Sequence, residues 1–501
     1  MKPALQLIAI LMFAATSSAQ PLAQGGGSPQ VTPMSLEDAL TIAEAKSEQV
    51  AIARAGVTRA DQEKKRARSE RFPQLGGLAS YDRTLASEFS GLFEDAGGEG
   101  EDSGFEDLPF GRKNIWRVGL LFSQALYTGG RISALERIAA AGQEVASVEV
   151  ASARATLGLD VIRAYYDVVL SDRLVTIAEA ALAQADAAYQ QTTLAYQAGT
   201  QPEFEQLRAQ VERDNQRPIL IRRKSDRDLA YLRLKQLLEL PASTTLQLTA
   251  ALDGLTLPIP DRFATQVALA EKAATENQPE TLLRAPVRQA ENGIRASDAA
   301  VSLARSARLP NVNVNSSYGN VIYPGGFFPE ASQFRTNWTI GVGVQVPILT
   351  GGRLKAEQAI ALADKQVAEL RLKQTRELVE LDTRAAYEEL RSAMAAWEAS
   401  AGTVTQAARA HQIAEVRYKQ GISTQLELSD SRLALEFAEA NRALAGRDLQ
   451  VARARVALLP DLPLGTAPAP APLLSPPPAA TTPIRPAAPT VRAAALNGIG
   501  Q

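Results

Sequence analysis

The sequence predicts an α+β fold of mostly very long helices and four short strands, laid out as two internal repeats. Three observations carry this. Residues 354–420 keep a helical period without a proline, and at ~1.5 Å rise per residue such a helix is about 100 Å long. Directly before it, Trp338, Ile340, Val342, Val344, Val346 and Ile348 alternate with Asn337, Thr339, Gly341, Gly343 and Gln345. A two-residue period followed at once by a helical one means a strand feeding straight into a helix. The same junction occurs earlier, where Tyr127, Thr128, Gly129, Gly130 and Arg131 precede another long helical stretch. A displacement of 222 positions carries Arg131 to Arg353, Trp116 to Trp338, Asp160 to Asp382, Tyr165 to Tyr387, Tyr196 to Tyr418 and Gly199 to Gly421 without a gap. Register held over a hundred residues indicates two copies of one unit.

Residues 1–19 read as an export leader: one lysine, a short apolar core, then Ser17, Ser18 and Ala19 as a small-residue cleavage site. A buried N-terminal helix is the competing reading; the core is too short to span a bilayer, and the Gly/Pro/Gln-rich linker 20–34 follows it. The first repeat is expected over 35–240. Ser35 is placed to cap a helix with Glu37 and Asp38 in its first turn. Helical character runs on to Arg71, where Phe72-Pro73 stops it. Strands follow at about 73–82 and 114–126, then a long helix 131–198, a break at Gly199 and a return helix 203–240 that Pro218 is expected to kink.

Between the two strands, residues 82–113 gather Glu88, Glu94, Asp95, Glu99, Glu101, Asp102, Glu106 and Asp107 among glycines. The stretch reads as an exposed acidic loop, since the carboxylates lack the spacing of a calcium loop. A connector is expected over 241–262. The second repeat covers 263–459, with strands at about 311–318 and 335–348, the long helix 353–420, a break at Gly421 and a return helix 423–459. The Pro/Ala-rich tail 460–501 has too little apolar patterning to build a core.

Composition narrows the function. The chain has 501 residues, net charge -2 and no cysteine. That balance argues against a nucleic-acid binder, and the missing cysteines remove disulfides, thiolate metal sites and thiol nucleophiles together. No run of eighteen apolar residues exists to make a transmembrane helix. The strands suit a membrane differently. About ten tilted residues cross the hydrocarbon layer, and apolar residues alternating with small or polar ones make a barrel wall. Trp116 and Trp338 lie where an aromatic girdle would sit. Four strands cannot close a barrel, and an open edge is forbidden in lipid, so several copies must share the wall. Three copies would supply twelve strands. The helices, longer than any bilayer is thick, must project into water. A soluble coiled coil would explain the helices and leave the strands unused.

These features resemble the TolC family of outer-membrane efflux proteins. The carriers are the two halves, the junctions 126–131 and 348–353, and the tip turns ending in Gly199 and Gly421. The resemblance implies a homotrimer in the outer membrane: a shared twelve-stranded β-barrel above a periplasmic α-barrel. It implies a passive exit duct, for efflux or type I secretion, joined to a periplasmic adaptor and an inner-membrane transporter. The alternative is a structural coiled-coil protein of the cell envelope. By the same resemblance, Glu427 and Asp430 stand where acids ring the pore constriction; two solvated carboxylates would be the plain reading. Their spacing of three puts them on one helix face. Tyr418 and Glu205 match two members of the family's closed-state latch, but Ser423 stands where its arginine would be, leaving a tyrosine–carboxylate hydrogen bond or simple packing. Gly199, Thr200 and Gln201 with Gly421, Ile422 and Ser423 are the tips expected to dock an adaptor, or are merely turns.

Nothing points to an enzyme. His411 is the sole histidine and lies mid-helix, so no triad or zinc site forms around it. The Gly-Gly-Arg turns lack the lysine and hydroxyl of a phosphate loop. No cofactor or metal is expected.

Overall fold

The computed structural model describes residues 32–85, 114–252, 257, 260–276, 283–324, 327 and 335–465. The export leader, linker residues 20–31, the acidic loop from 86 and the tail from 466 lie outside the described residues.

Eight helices are defined among the described residues: α1 Leu36–Lys46, α2 Glu48–Ser69, α3 Arg131–Gln197, α4 Glu203–Leu237, α5 Asp261–Glu276, α6 Ala285–Ser306, α7 Arg353–Lys419 and α8 Gln425–Leu458. Six strands accompany them: β1 Thr32–Met34, β2 Gln74–Arg83, β3 Asn114–Tyr127, β4 Leu246–Leu248, β5 Asn311–Ile322 and β6 Arg335–Gln345.

Several expectations need correction. Residues 32–34 of the linker form β1, which pairs in parallel with β4 inside the expected connector. Three-residue strands carry no readable period, so only tertiary pairing reveals them. The first helix is two, because Ser47 leaves helical geometry (ψ 121°) and its Oγ caps α2 at Val50. Pro218 lies inside α4, which continues through it. Pro286 sits in the first turn of α6, where its missing N–H costs nothing. The last expected strand stops at Gln345, three residues short, while β5 extends to Ile322.

Both long helices have 67 residues. Each starts after a glycine pair in the left-handed region, Gly129 and Gly130 (φ 60° and 88°) or Gly351 and Gly352 (φ 59° and 86°). A side chain at those angles would be strained, so the turn from strand to helix requires glycine.

The long strands form one antiparallel sheet of order β2-β3-β5-β6. Its register puts Leu75, Val118, Leu120, Phe122, Val314, Tyr318, Trp338, Ile340, Val342 and Val344 on one face. The other carries Gln74, Ser80, Arg117, Ser123, Asn313, Asn315, Thr339 and five glycines, with Leu78, Ile115, Leu121 and Val321 among its apolar exceptions. Strands β2 and β6 are left as open edges. No helix among the described residues is long and apolar enough to cross a membrane.

Below the sheet the packed helices form rows. Toward the strands α3 lies against α2 and α6, and α7 against α6; toward the far end α3 lies against α4 and α8, and α7 against α8. The core sits partway along α3, where Leu159, Ile162, Tyr165 and Tyr166 meet α1, β4, α5 and the end of α8. A polar knot lies beside it. Arg284, fully buried, donates to Asp382 Oδ2 at 2.5 Å and to the Leu459 and Leu462 carbonyls. Arg455, 2% exposed, reaches Asp382 Oδ1 at 3.0 Å and also pairs with Glu389.

Candidate functional site

The far end of the molecule is where α3 turns into α4 and α7 into α8. At each turn a glycine takes the left-handed conformation, Gly199 at φ 72° and Gly421 at φ 71°. Paired backbone bonds close the helix ends: Gly199 and Thr200 donate to the Tyr196 and Ala195 carbonyls, and Gly421 and Ile422 to those of Tyr418 and Arg417. This is the glycine stop that satisfies terminal carbonyls without a side chain. Gly199, Thr200, Gly421 and Ile422 are exposed, and Gln201 and Ser423 half-buried. Thr424 then caps α8, its Oγ1 accepting from Glu427 N at 3.3 Å.

Glu427 and Asp430 are both exposed near the start of α8. The structure adds a partner the sequence had not suggested: Arg417 of α7 lies 3.2 Å from Glu427. One of the two expected gate acids is therefore compensated within its own chain.

Tyr418 is 8% exposed. Burial pushes its phenol above the ordinary value; Gln201 works against that and the Glu205 charge adds to it. Tyr418 and Glu205 are thus neighbours, but the hydroxyl makes no well-formed hydrogen bond to either residue. Glu205 is instead engaged by Gln425 of α8. Oriented to satisfy both its ends, that amide donates to Glu205 Oε2 at 3.0 Å and to the Glu205 carbonyl at 3.1 Å. The structure joins α4 to α8 here through an amide, not through the tyrosine.

A second link lies two turns further along. Glu212 of α4 accepts hydrogen bonds from Ser429 Oγ and Arg432 Nη2 of α8. Sequence reasoning missed Glu212 and Arg432. Each is an unremarkable charge on a helix face, and no local pattern says which charges meet across helices. Beside this link is a cavity of about 200 Å³ walled by Gln184 and Gln191 of α3, His411 and Tyr418 of α7, and Gln425 and Arg432 of α8. Burial lowers the His411 pKa, with Glu415 opposing and Arg432 reinforcing the shift; its Nδ1 lies 3.2 Å from Ser431 Oγ.

At the opposite end, Trp116 and Trp338 share the apolar sheet face. Trp338 is 73% exposed, whereas Trp116 is half-buried against Tyr81 and Phe327.

Comparison with known proteins gives a consistent picture. A sequence model of the family described as outer membrane efflux protein matches residues 39–239 and 254–459. The solvent efflux pump outer membrane protein SrpC of Pseudomonas putida is 25% identical over 384 residues, 73% of this chain and 72% of its own. Two solved structures share the fold. The Campylobacter jejuni CmeC outer membrane channel has TM-score 0.67 and 15% identity, over 85% of this chain and 86% of its own. The Vibrio cholerae outer membrane protein VceC has TM-score 0.66 and 18% identity, over 85% and 95%.

Proposed function

The chain belongs to the outer membrane efflux protein family, and from that premise we propose that three copies assemble into one continuous duct through the outer membrane and into the periplasm. Membership makes it an outer-membrane exit duct and sets aside the structural coiled-coil alternative. An efflux channel conducts passively, so no catalytic role falls to its residues.

The observation that carries the trimer is that the sheet and the helical rows are unfinished on the same two sides. In the sheet, β2 and β6 are unpaired edges beneath a lipid-compatible face. In the helices, α4 exposes Phe204, Leu207 and Val211, while α7 exposes Ile413 and Val416. An edge strand in hydrocarbon leaves backbone groups unsatisfied at several kcal/mol each. Pairing β6 of one copy with β2 of the next removes that penalty, and the same step brings α7 of one copy to α2 and α4 of the next. Three such steps give twelve strands, with the apolar face outward, Trp116 and Trp338 toward the girdle, and the glycine-rich polar face inward. Detergent-extracted protein is expected to run as a trimer unheated and as a monomer after boiling. A monomer under both conditions overturns the reading.

The exposed tips at Gly199, Thr200, Gln201, Gly421, Ile422 and Ser423 would dock a periplasmic adaptor, itself joined to an inner-membrane transporter. The constriction would lie at the same end, with Glu427 and Asp430 of three copies around the axis. Because Arg417 offsets Glu427, Asp430 contributes most of the unbalanced charge. Crowded carboxylates favour cations, so Glu427→Ala combined with Asp430→Ala is expected to lower cation preference in planar-bilayer recordings. Unchanged selectivity would remove both residues from the narrowest point.

A further inference from the structure

We propose that the periplasmic end of the sheet binds anionic phospholipid headgroups through a collar of exposed arginines and lysines supplied by both repeats. This rests on the reading that the apolar sheet face lies in the lipid of the outer membrane.

The collar sits where strands meet helices. The ends of α2 and α6 run into β2 and β5 here, and α3 and α7 start after β3 and β6. These four helices neighbour one another in the order α2, α3, α6, α7, so the collar spans the width of the chain. The apolar surface of the sheet carries on to this level: Tyr127, Ile348 and Leu349 are all exposed. Basic residues begin just beyond them, with Arg131 after Tyr127 and Arg353 after Leu349. Apolar and then basic along the chain is the order of hydrocarbon and then headgroup, where long cationic side chains settle.

The carboxylates beside the junction are already taken. Glu70 pairs with Arg131, Glu136 with Arg71 and Glu357 with Arg353. Arg66, Arg68, Arg137, Arg305, Arg308 and Lys355 form no ion pair among the described residues, and all six are exposed. Helix polarity accounts for only part of this. A cation is favourable at a helix C-terminus, which suits Arg66, Arg68 and Arg305 in the last turns of α2 and α6. A helix N-terminus calls for the opposite charge. Yet α3 and α7 both begin on arginine, and neither has an acid in its first turn. Cations gathered at helix ends of both polarities serve something negative outside the chain. A band at one depth, continuous with an apolar face, fits a lipid surface, whereas a folded partner would need a bounded patch. Guanidinium groups match the phosphate of a headgroup in geometry as well as charge.

The test measures binding of acyl-labelled phosphatidylglycerol and phosphatidylcholine to the detergent-solubilised full-length protein. The parent is expected to bind the anionic lipid about tenfold more tightly. Arg66→Gln, Arg68→Gln, Arg305→Gln and Lys355→Gln together should bring the two lipids to within about twofold of each other. If that protein does not assemble, the parent in roughly 1 M salt decides, because screening to about 3 Å should erase the preference. Equal binding of both lipids by the parent, or an undiminished preference in the fourfold variant or in high salt, overturns the collar. Reconstitution with bromine-labelled acyl chains separates this from the reading beneath it. Quenching of tryptophan emission places Trp116 and Trp338 in lipid whatever the headgroup result, so the barrel wall then stands even where the collar falls. Absence of quenching in the parent defeats both.

Discussion

Asp382→Ala is expected to lower the heat-dissociation temperature of the assembled protein more than any single change at the tip. Asp382 is the shared acceptor of two arginines that have almost no access to water, Arg284 at 0% and Arg455 at 2% exposure. Arg455 keeps Glu389, but Arg284 keeps only the Leu459 and Leu462 carbonyls. Breaking a buried pair by deleting one partner costs about 3–5 kcal/mol, a large share of a typical stability margin. The knot also pins the start of α6 and the chain after α8 to the middle of α7, so its loss loosens the join between the two halves. Heating followed by unboiled gel electrophoresis measures the effect. An Asp382→Ala protein as heat-stable as the parent would show that the arginines find other compensation.

Gly119→Ala is expected to prevent barrel formation, although it adds one methyl group. Gly119 faces Gly319 directly across β3 and β5. A Cβ on Gly119 would lie 2.7 Å from the Tyr318 carbonyl oxygen and 2.9 Å from the Gly319 Cα; a Cβ on Gly319 would meet the Val118 carbonyl and Gly119 equally closely. These are backbone atoms in a hydrogen-bonded ladder, which cannot turn aside as a side chain could. Overpacking typically costs about 1–3 kcal/mol, and in the proposed trimer the penalty enters three times. The yield of heat-stable trimer should fall by about tenfold or more, whereas Gly341→Ala on the same face, where no atom lies within 4 Å of the added Cβ, should assemble normally. Equal yields would mean that the sheet relaxes at this point.

Much of the architecture was readable because its signals are local. Alternation through Trp338 to Val344 identified the apolar side of β6, and the paired glycines before Arg131 and Arg353 marked where strand becomes helix. The short pairing of β1 with β4 was not readable, since three residues carry no period. Ser47 escaped notice because a serine inside a helical stretch looks the same whether it caps or continues. At the tip, the turns at Gly199 and Gly421 were legible from the glycines themselves. The partners of Glu205 and Glu427 were not: the carboxylates were found, but Gln425 and Arg417 were not, because the resemblance pointed to Tyr418 and to an arginine that is absent here.

By itself the sequence determined the secondary structure of the long elements, the apolar face of the sheet and the insufficiency of four strands to close it. Those follow from periods of 2 and 3.6 residues and from counting, which need no knowledge of neighbours. Only the tertiary structure decided that Glu212 meets Arg432, that Asp382 gathers two arginines and that Gly119 meets Gly319. Which side chains face each other across two elements depends on their relative rotation and shift, and a turn of one residue on a helix redirects every charge by about 100°.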